Sequence, residues 1–208
     1  MATDLSGVAA VGLIPKESPA QLKKGGKPIS IGLPKETSSE EKRVVLSPEA
    51  VRILNENGVS VLVETQAGDR AKFSDRQFSD AGAKIVYSRK EAFAADVVVK
   101  VNAPTEEEIA DMSVGACLIS ALQLEKQEST YIPAPNAKKI TSLAFEYLED
   151  KVGGMPVVRA MSEIAGSTVM QIASEYLSSV NEGKGLILGG ITGVPPTQVV
   201  IIGAGTLP

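Results

Sequence analysis

Short apolar, β-branched runs alternate along this chain with stretches whose apolar residues recur at helical spacing. Residues 28–33 (PISIGL) form the first such run and stop at Pro34, which predicts a strand. Further strands are predicted over 59–64 (VSVLVE), 84–87, 96–101 (DVVVKV), 116–122 and 140–145. Between them lie helix signals. Ser47 is an N-cap, Pro48 takes the first helical position, and Glu49 favours the first turn. Ala50, Val51, Ile53 and Leu54 then make an apolar stripe that Asn57-Gly58 closes. Ser74-Asp75 caps a short helix stopped by Gly82, Ser88 caps one over 89–94, and Thr105 with Glu106, Glu107 and Glu108 opens another. Strands alternating with helices about every 20 residues predict an α/β fold, a Rossmann-like parallel sheet covered on both faces.

The pattern changes after 150–156. Residues 161–180 carry the longest helical period, with Ile164, Val169, Ile172, Ala173, Tyr176 and Leu177 on one side. A glycine-rich connection over 186–196 leads into the apolar run 197–206, which ends at Gly203-Ala204-Gly205. This predicts a buried parallel strand followed by the tight turn of a dinucleotide-binding fold. Gly203 allows the sharp turn and Gly205 the close approach of a pyrophosphate. The fingerprint asks for a third small residue at 208, where Pro208 stands, and for an acidic residue roughly 20 positions further on. The expected organisation is a flexible arm (1–27), an N-terminal substrate domain (28–155), and a connecting helix with the first strand of a truncated NAD-binding domain (156–208).

Composition narrows the function. A net charge of −4, with no basic cluster larger than Lys23-Lys24 and nearby Lys27, argues against a nucleic-acid surface. No apolar run reaches the roughly 18 residues of a membrane span, and residues 1–15 lack a secretory pattern. The single Cys117 fits a reducing, cytoplasmic setting. There is no histidine, so no zinc-ligand set is expected, and the commonest acid/base group near neutral pH is missing.

The order of motifs resembles the alanine dehydrogenase and nicotinamide nucleotide transhydrogenase (alpha subunit) family. The matching residues are Ile31-Gly32-Leu33-Pro34-Lys35-Glu36, Glu41-Lys42-Arg43-Val44-Val45-Leu46-Ser47-Pro48, and Gly68, Phe73 and Ala81-Gly82-Ala83. They continue with Val99-Lys100-Val101-Asn102-Ala103-Pro104, Met161-Ser162-Glu163-Ile164-Ala165-Gly166, and the stretch from Gly189 to Gly205. The resemblance implies a first domain that frames the substrate, a second that holds NAD, and a long helix crossing between them. It implies a small carboxylate or amino-acid substrate and a homo-oligomer formed through the 161–180 helix.

It also implies roles for particular residues. Arg43, in a charged loop after the first strand, would grip the carboxylate of pyruvate or alanine with a planar fork of donors. The residue alone also fits a solvated surface arginine. Lys100, ending an apolar strand and partly desolvated, would bond the substrate carbonyl or amine; a lysine snorkelling from a strand end is the alternative. Gln123 aligns with the family's catalytic histidine. It can donate a hydrogen bond but not move a proton near neutral pH. Met161 and Ser162 would lie beside substrate and nicotinamide, Ser162 also serving as a helix N-cap. Glu146 would stabilise loops near the cleft. The stretch 152–160 looks like the dehydrogenase branch, and the absence of histidine like the transhydrogenase branch. The expected function is therefore the N-terminal part of an NAD-dependent alanine dehydrogenase-like oxidoreductase, inactive as this piece. A transhydrogenase subunit and a non-catalytic binding or assembly module are the alternatives.

Overall fold

β-Branched and small apolar residues fit a pleated surface buried on both faces, and six such runs become strands. The computed structural model describes residues 28–127 and 131–203. The expected arm (1–27) and Gly205 lie outside them. In chain order the strands are β1 (Ser30–Leu33), β2 (Ser60–Glu64), β3 (Lys84–Val86), β4 (Val97–Asn102), β5 (Cys117–Ala121) and β6 (Thr141–Ala144). All neighbours pair in parallel, in the order β3-β2-β1-β4-β5-β6. This is the doubly wound order, in which the direction of winding reverses between β1 and β4.

The connecting helices are α1 (Pro48–Glu56), α2 (Asp75–Asp80), α3 (Arg89–Phe93), α4 (Glu106–Asp111) and α5 (Pro133–Ala137). Ser47 Oγ accepts the Ala50 N–H, and Ser74 and Thr105 each complete a reciprocal capping box, with Gln77 and Glu108. Ser88 precedes α3 without a side-chain cap bond. The sequence reading missed α5, a single turn opened by Pro133 and too short for a helical period to register.

Two apolar clusters flank the sheet. One gathers Leu33, Val51, Val61, Val63 and Phe78; the other gathers Phe93, Val98, Met112, Leu118 and Leu122. Gly32 is required where α3 crosses β1, because a Cβ there would lie 1.9 Å from the Ala92 carbonyl oxygen.

Three expectations are corrected. The long helix, α6, runs over Pro156–Leu177 and so begins five residues before 161. Pro156 supplies a preset φ at the first turn, where its missing N–H costs nothing. Ser162 is therefore inside the helix and not its N-cap; its hydroxyl donates to the Val158 carbonyl at 2.8 Å. On α6, Ile164, Val169, Ile172 and Tyr176 are all exposed. Finally, 197–203 is not a buried strand. It has no assigned secondary structure, and Ile202 is 95% exposed. A β-branched run becomes a strand only when neighbouring strands satisfy its N–H and C=O groups, and no described segment pairs with it.

Candidate functional site

Parallel α/β sheets bind ligands at the carboxyl ends of their strands, where the strand order reverses. Here that place is the gap between the ends of β1 and β4. Glu36 and the charged loop through Arg43 follow β1, and Lys100 to Asn102 end β4. The loop is held from one side by Arg70, whose guanidinium donates to the carbonyls of Ser38 and Glu41.

Lys100 is the centre of the cluster. Alternation along β4 turns it to the same side as Val98, and it is only 1% exposed. Its ammonium donates to Glu108 Oε2 at 2.8 Å, stands 3.8 Å from Glu36 Oε2, and lies 5.9 Å from the centre of the Phe93 ring. The pairing of β4 with β5 shifts register between Val99 and Asn102. Such irregularities re-aim side chains near functional sites. Here the Val101 N–H donates to Glu36 Oε1 at 2.7 Å.

Glu108 is 0% exposed and has a double duty. Its Oε2 accepts from Lys100 and also from the Thr105 N–H that opens α4. Glu36 Oε2 and Glu108 Oε1 have no hydrogen-bond partner. Burial pushes the Glu36 carboxyl above the usual carboxylate range, against the pull of Lys100 and of two backbone N–H donors. Tyr131 lies over the same region, buried, its phenol pushed up to about 12 by burial and then by the charge of Glu108.

Arg43 is half-exposed and reaches the cluster through Glu41. Its Nε and Nη2 donate to the two Glu41 carboxylate oxygens at 2.8 and 2.6 Å. The hydrogen bonds from Arg43 hold the Glu41 carboxyl below its ordinary range despite burial. Nη1 faces away from this fork, 3.8 Å from the Met161 sulfur on α6. Glu36 acts electrostatically on both Lys100 and Arg43, so the two cations share one network with three carboxylates.

Gln123 follows β5 in a left-handed conformation (φ 44°, ψ 51°), sparsely populated for a residue with a side chain. Glu146, after β6, accepts its backbone N–H at 2.7 Å and so ties two strand ends together. The Gln123 side chain is exposed and accepts from Lys126 at 3.1 Å. Gly203 has φ 111°, and a Cβ there would meet nothing within 4 Å.

The expected residues therefore fall into groups. Arg43, Lys100 and Met161 are linked at the ends of β1 and β4, through Glu36, Glu41 and the contact with α6. Gln123 belongs to the neighbouring end of β5, Ser162 is buried in the second turn of α6, and Gly203 belongs to the exposed tail. Sequence reasoning missed Glu36, Glu41 and Glu108 as members. The signal was available: a lysine inside an apolar strand requires buried counter-charges.

Two family descriptions match the chain. The alanine dehydrogenase/PNT N-terminal domain matches residues 32–165, and the corresponding C-terminal domain matches residues 169–207. Alanine dehydrogenase 2 of Staphylococcus aureus is 38% identical over 177 residues, which is 85% of this chain and 47% of that protein. Alanine dehydrogenase of Staphylococcus epidermidis is 40% identical over 178 residues, with the same shares. A solved L-alanine dehydrogenase superposes with a TM-score of 0.80 at 38% identity, over 86% of this chain and 49% of that one. A transhydrogenase from Sinorhizobium meliloti superposes with a TM-score of 0.64 at 29% identity, over 71% and 44%. The chain spans about half the length of the curated relatives it matches.

Proposed function

The chain belongs to the alanine dehydrogenase/PNT family, and from that premise we propose that it is the substrate-binding portion of an NAD-dependent, alanine dehydrogenase-like oxidoreductase. The reaction of the whole enzyme interconverts L-alanine, NAD and water with pyruvate, ammonia and NADH. The observation that carries the reading is the pair of cations at the β1/β4 reversal, one buried and one at the rim, both coupled to Glu36.

In this reading Arg43 offers Nη1 to the substrate carboxylate, its other donors being steadied by Glu41. Lys100 is aimed by Glu108 and directs positive charge at the substrate carbonyl or amine. Gln123 donates a hydrogen bond to a substrate oxygen and moves no proton. Met161 and Ser162 set the wall that α6 contributes. NAD, when bound, supplies the hydride acceptor at its nicotinamide. Gly203 and Gly205 would hold the cofactor's pyrophosphate. Self-association through α6 and a cytoplasmic setting belong to the same proposal.

Higher identity to alanine dehydrogenases than to the transhydrogenase supports the dehydrogenase branch. Glutamine in place of the branch's histidine favours the second reading, a transhydrogenase subunit. Oxidation of L-alanine by the full-length gene product separates them.

Titration calorimetry with pyruvate on the 208-residue chain tests the site. Binding is expected, weakened about tenfold or more in Arg43→Ala, the loss of a charge-assisted bond of roughly 1.5–3 kcal/mol. Equal binding by both proteins contradicts the role of Arg43. Robust NAD-dependent turnover by the isolated chain contradicts its assignment as the substrate-binding portion alone.

A further inference from the structure

The charges around Lys100 do not balance. Fully ionised, the cluster holds Lys100 and Arg43 against Glu36, Glu41 and Glu108, a net charge of −1. An arriving organic carboxylate would raise that to −2 in a place where the acceptors are buried, and unbalanced buried charge is costly. Protonation of one carboxylate would relieve that cost, and the geometry selects which.

Glu41 is held by the Arg43 fork and by the Arg43 backbone N–H, three donated bonds that favour its anion. Glu108 Oε2 receives both Lys100 and the Thr105 N–H at 2.8 Å. Glu36 is the looser of the two Lys100 partners: Oε1 is bonded to Val101, and Oε2 faces Lys100 at 3.8 Å without a hydrogen bond. Tyr131, its phenol pushed up by burial, neither adds charge nor accepts a proton. The charged groups that face Glu36 are Lys100 from β4, Glu41 and Arg43 from its own loop, and Glu108 across Lys100 from α4.

We propose that Glu36 takes up one proton when an organic carboxylate binds beside Arg43 and Lys100, and so serves as the proton-holding residue of the site. The inference rests on the substrate-site reading above. Free Glu36 already sits above the ordinary glutamate range because it is buried. A bound anion adds repulsion and moves it higher. Between its free and bound values, binding is linked to proton uptake, so affinity falls as pH rises. The linkage sign for folding is the same: the folded state holds the proton more tightly than the unfolded chain, so this stabilising contribution is lost as pH rises through the raised value. With glutamine at 123, Glu36 is a carboxyl in the cluster placed to gain and lose a proton as substrate arrives and leaves.

The test is calorimetry with pyruvate on the 208-residue chain, from the ordinary glutamate range upward in pH, in pairs of buffers with different heats of ionisation. Wild type is expected to take up protons on binding, to a maximum of one per pyruvate where the linkage is strongest. Its dissociation constant should rise toward tenfold per pH unit within the linked range. Glu36→Gln, which keeps the acceptor for Val101, should bind without proton uptake and with a flat pH profile. Carbon NMR of the Glu36 carboxyl in wild type gives a readout independent of that variant's folding. The titration should lie above the ordinary range and move upward with pyruvate. Pyruvate binding with no proton uptake, uptake undiminished in folded Glu36→Gln, or a Glu36 titration unmoved by pyruvate overturns the proposal alone. Absence of pyruvate binding overturns the substrate-site reading and this proposal with it.

Discussion

Lys100 illustrates how one residue dictates its surroundings. An ammonium 1% exposed must be paired, and here two carboxylates and an aromatic face surround it. Removing it leaves Glu36 and Glu108 facing one another without a cation. Lys100→Met, which nearly preserves shape, is expected to cost about 3–5 kcal/mol of stability, because a buried pair has been broken from one side. Urea unfolding measures the loss, and adding Glu108→Gln should restore part of it. Equal stability of Lys100→Met and wild type would mean that the carboxylates find water or other donors. The lysine itself was legible because a cation in VVVKV is anomalous. Its partners were not: Glu36 and Glu41 sit in polar stretches, and Glu108 has a sufficient local explanation in the Thr105 capping box.

At the scale of elements, the strands of the sheet were legible to within a residue or two. Buried parallel strands write themselves as uninterrupted β-branched runs, and three serine or threonine caps mark helix starts where the sequence places them. The helical period of α6 registers only from 161, because periodicity emerges after the first turn, while Pro156, at the boundary read from the sequence, begins the helix. The run before Gly203 misled for a different reason: β-branching states a preference, and pairing decides. Close packing between elements also makes a prediction. Gly32→Ala drives a methyl into the Ala92 carbonyl and would push α3 off β1. An overpacking cost of about 3 kcal/mol is expected, read as a lower urea midpoint at unchanged slope. A neutral Gly32→Ala would show that α3 moves freely on the sheet.

The whole molecule presents an asymmetry. The sheet is enclosed by two apolar clusters, while α6 leaves Ile164, Val169, Met170, Ile172 and Tyr176 exposed in addition to the tail from Leu186 to Ile202. Exposed apolar residues in this number favour association. Light scattering after gel filtration is expected to show a dimer or larger species that dissociates on dilution. The double variant Ile164→Glu and Ile172→Glu should shift it to monomer. A wild-type monomer at all concentrations would contradict association through α6. No described helix is long and apolar enough to cross a membrane.

The central claim is that the ends of β1 and β4 form a site for a small organic carboxylate. Amide NMR of the isolated chain during pyruvate addition tests it most directly. The account predicts saturable shifts concentrated at Arg43, Val101, Asn102 and the first turns of α6, abolished in Arg43→Ala. Shifts confined to other parts of the fold, or none at saturating pyruvate, would contradict it.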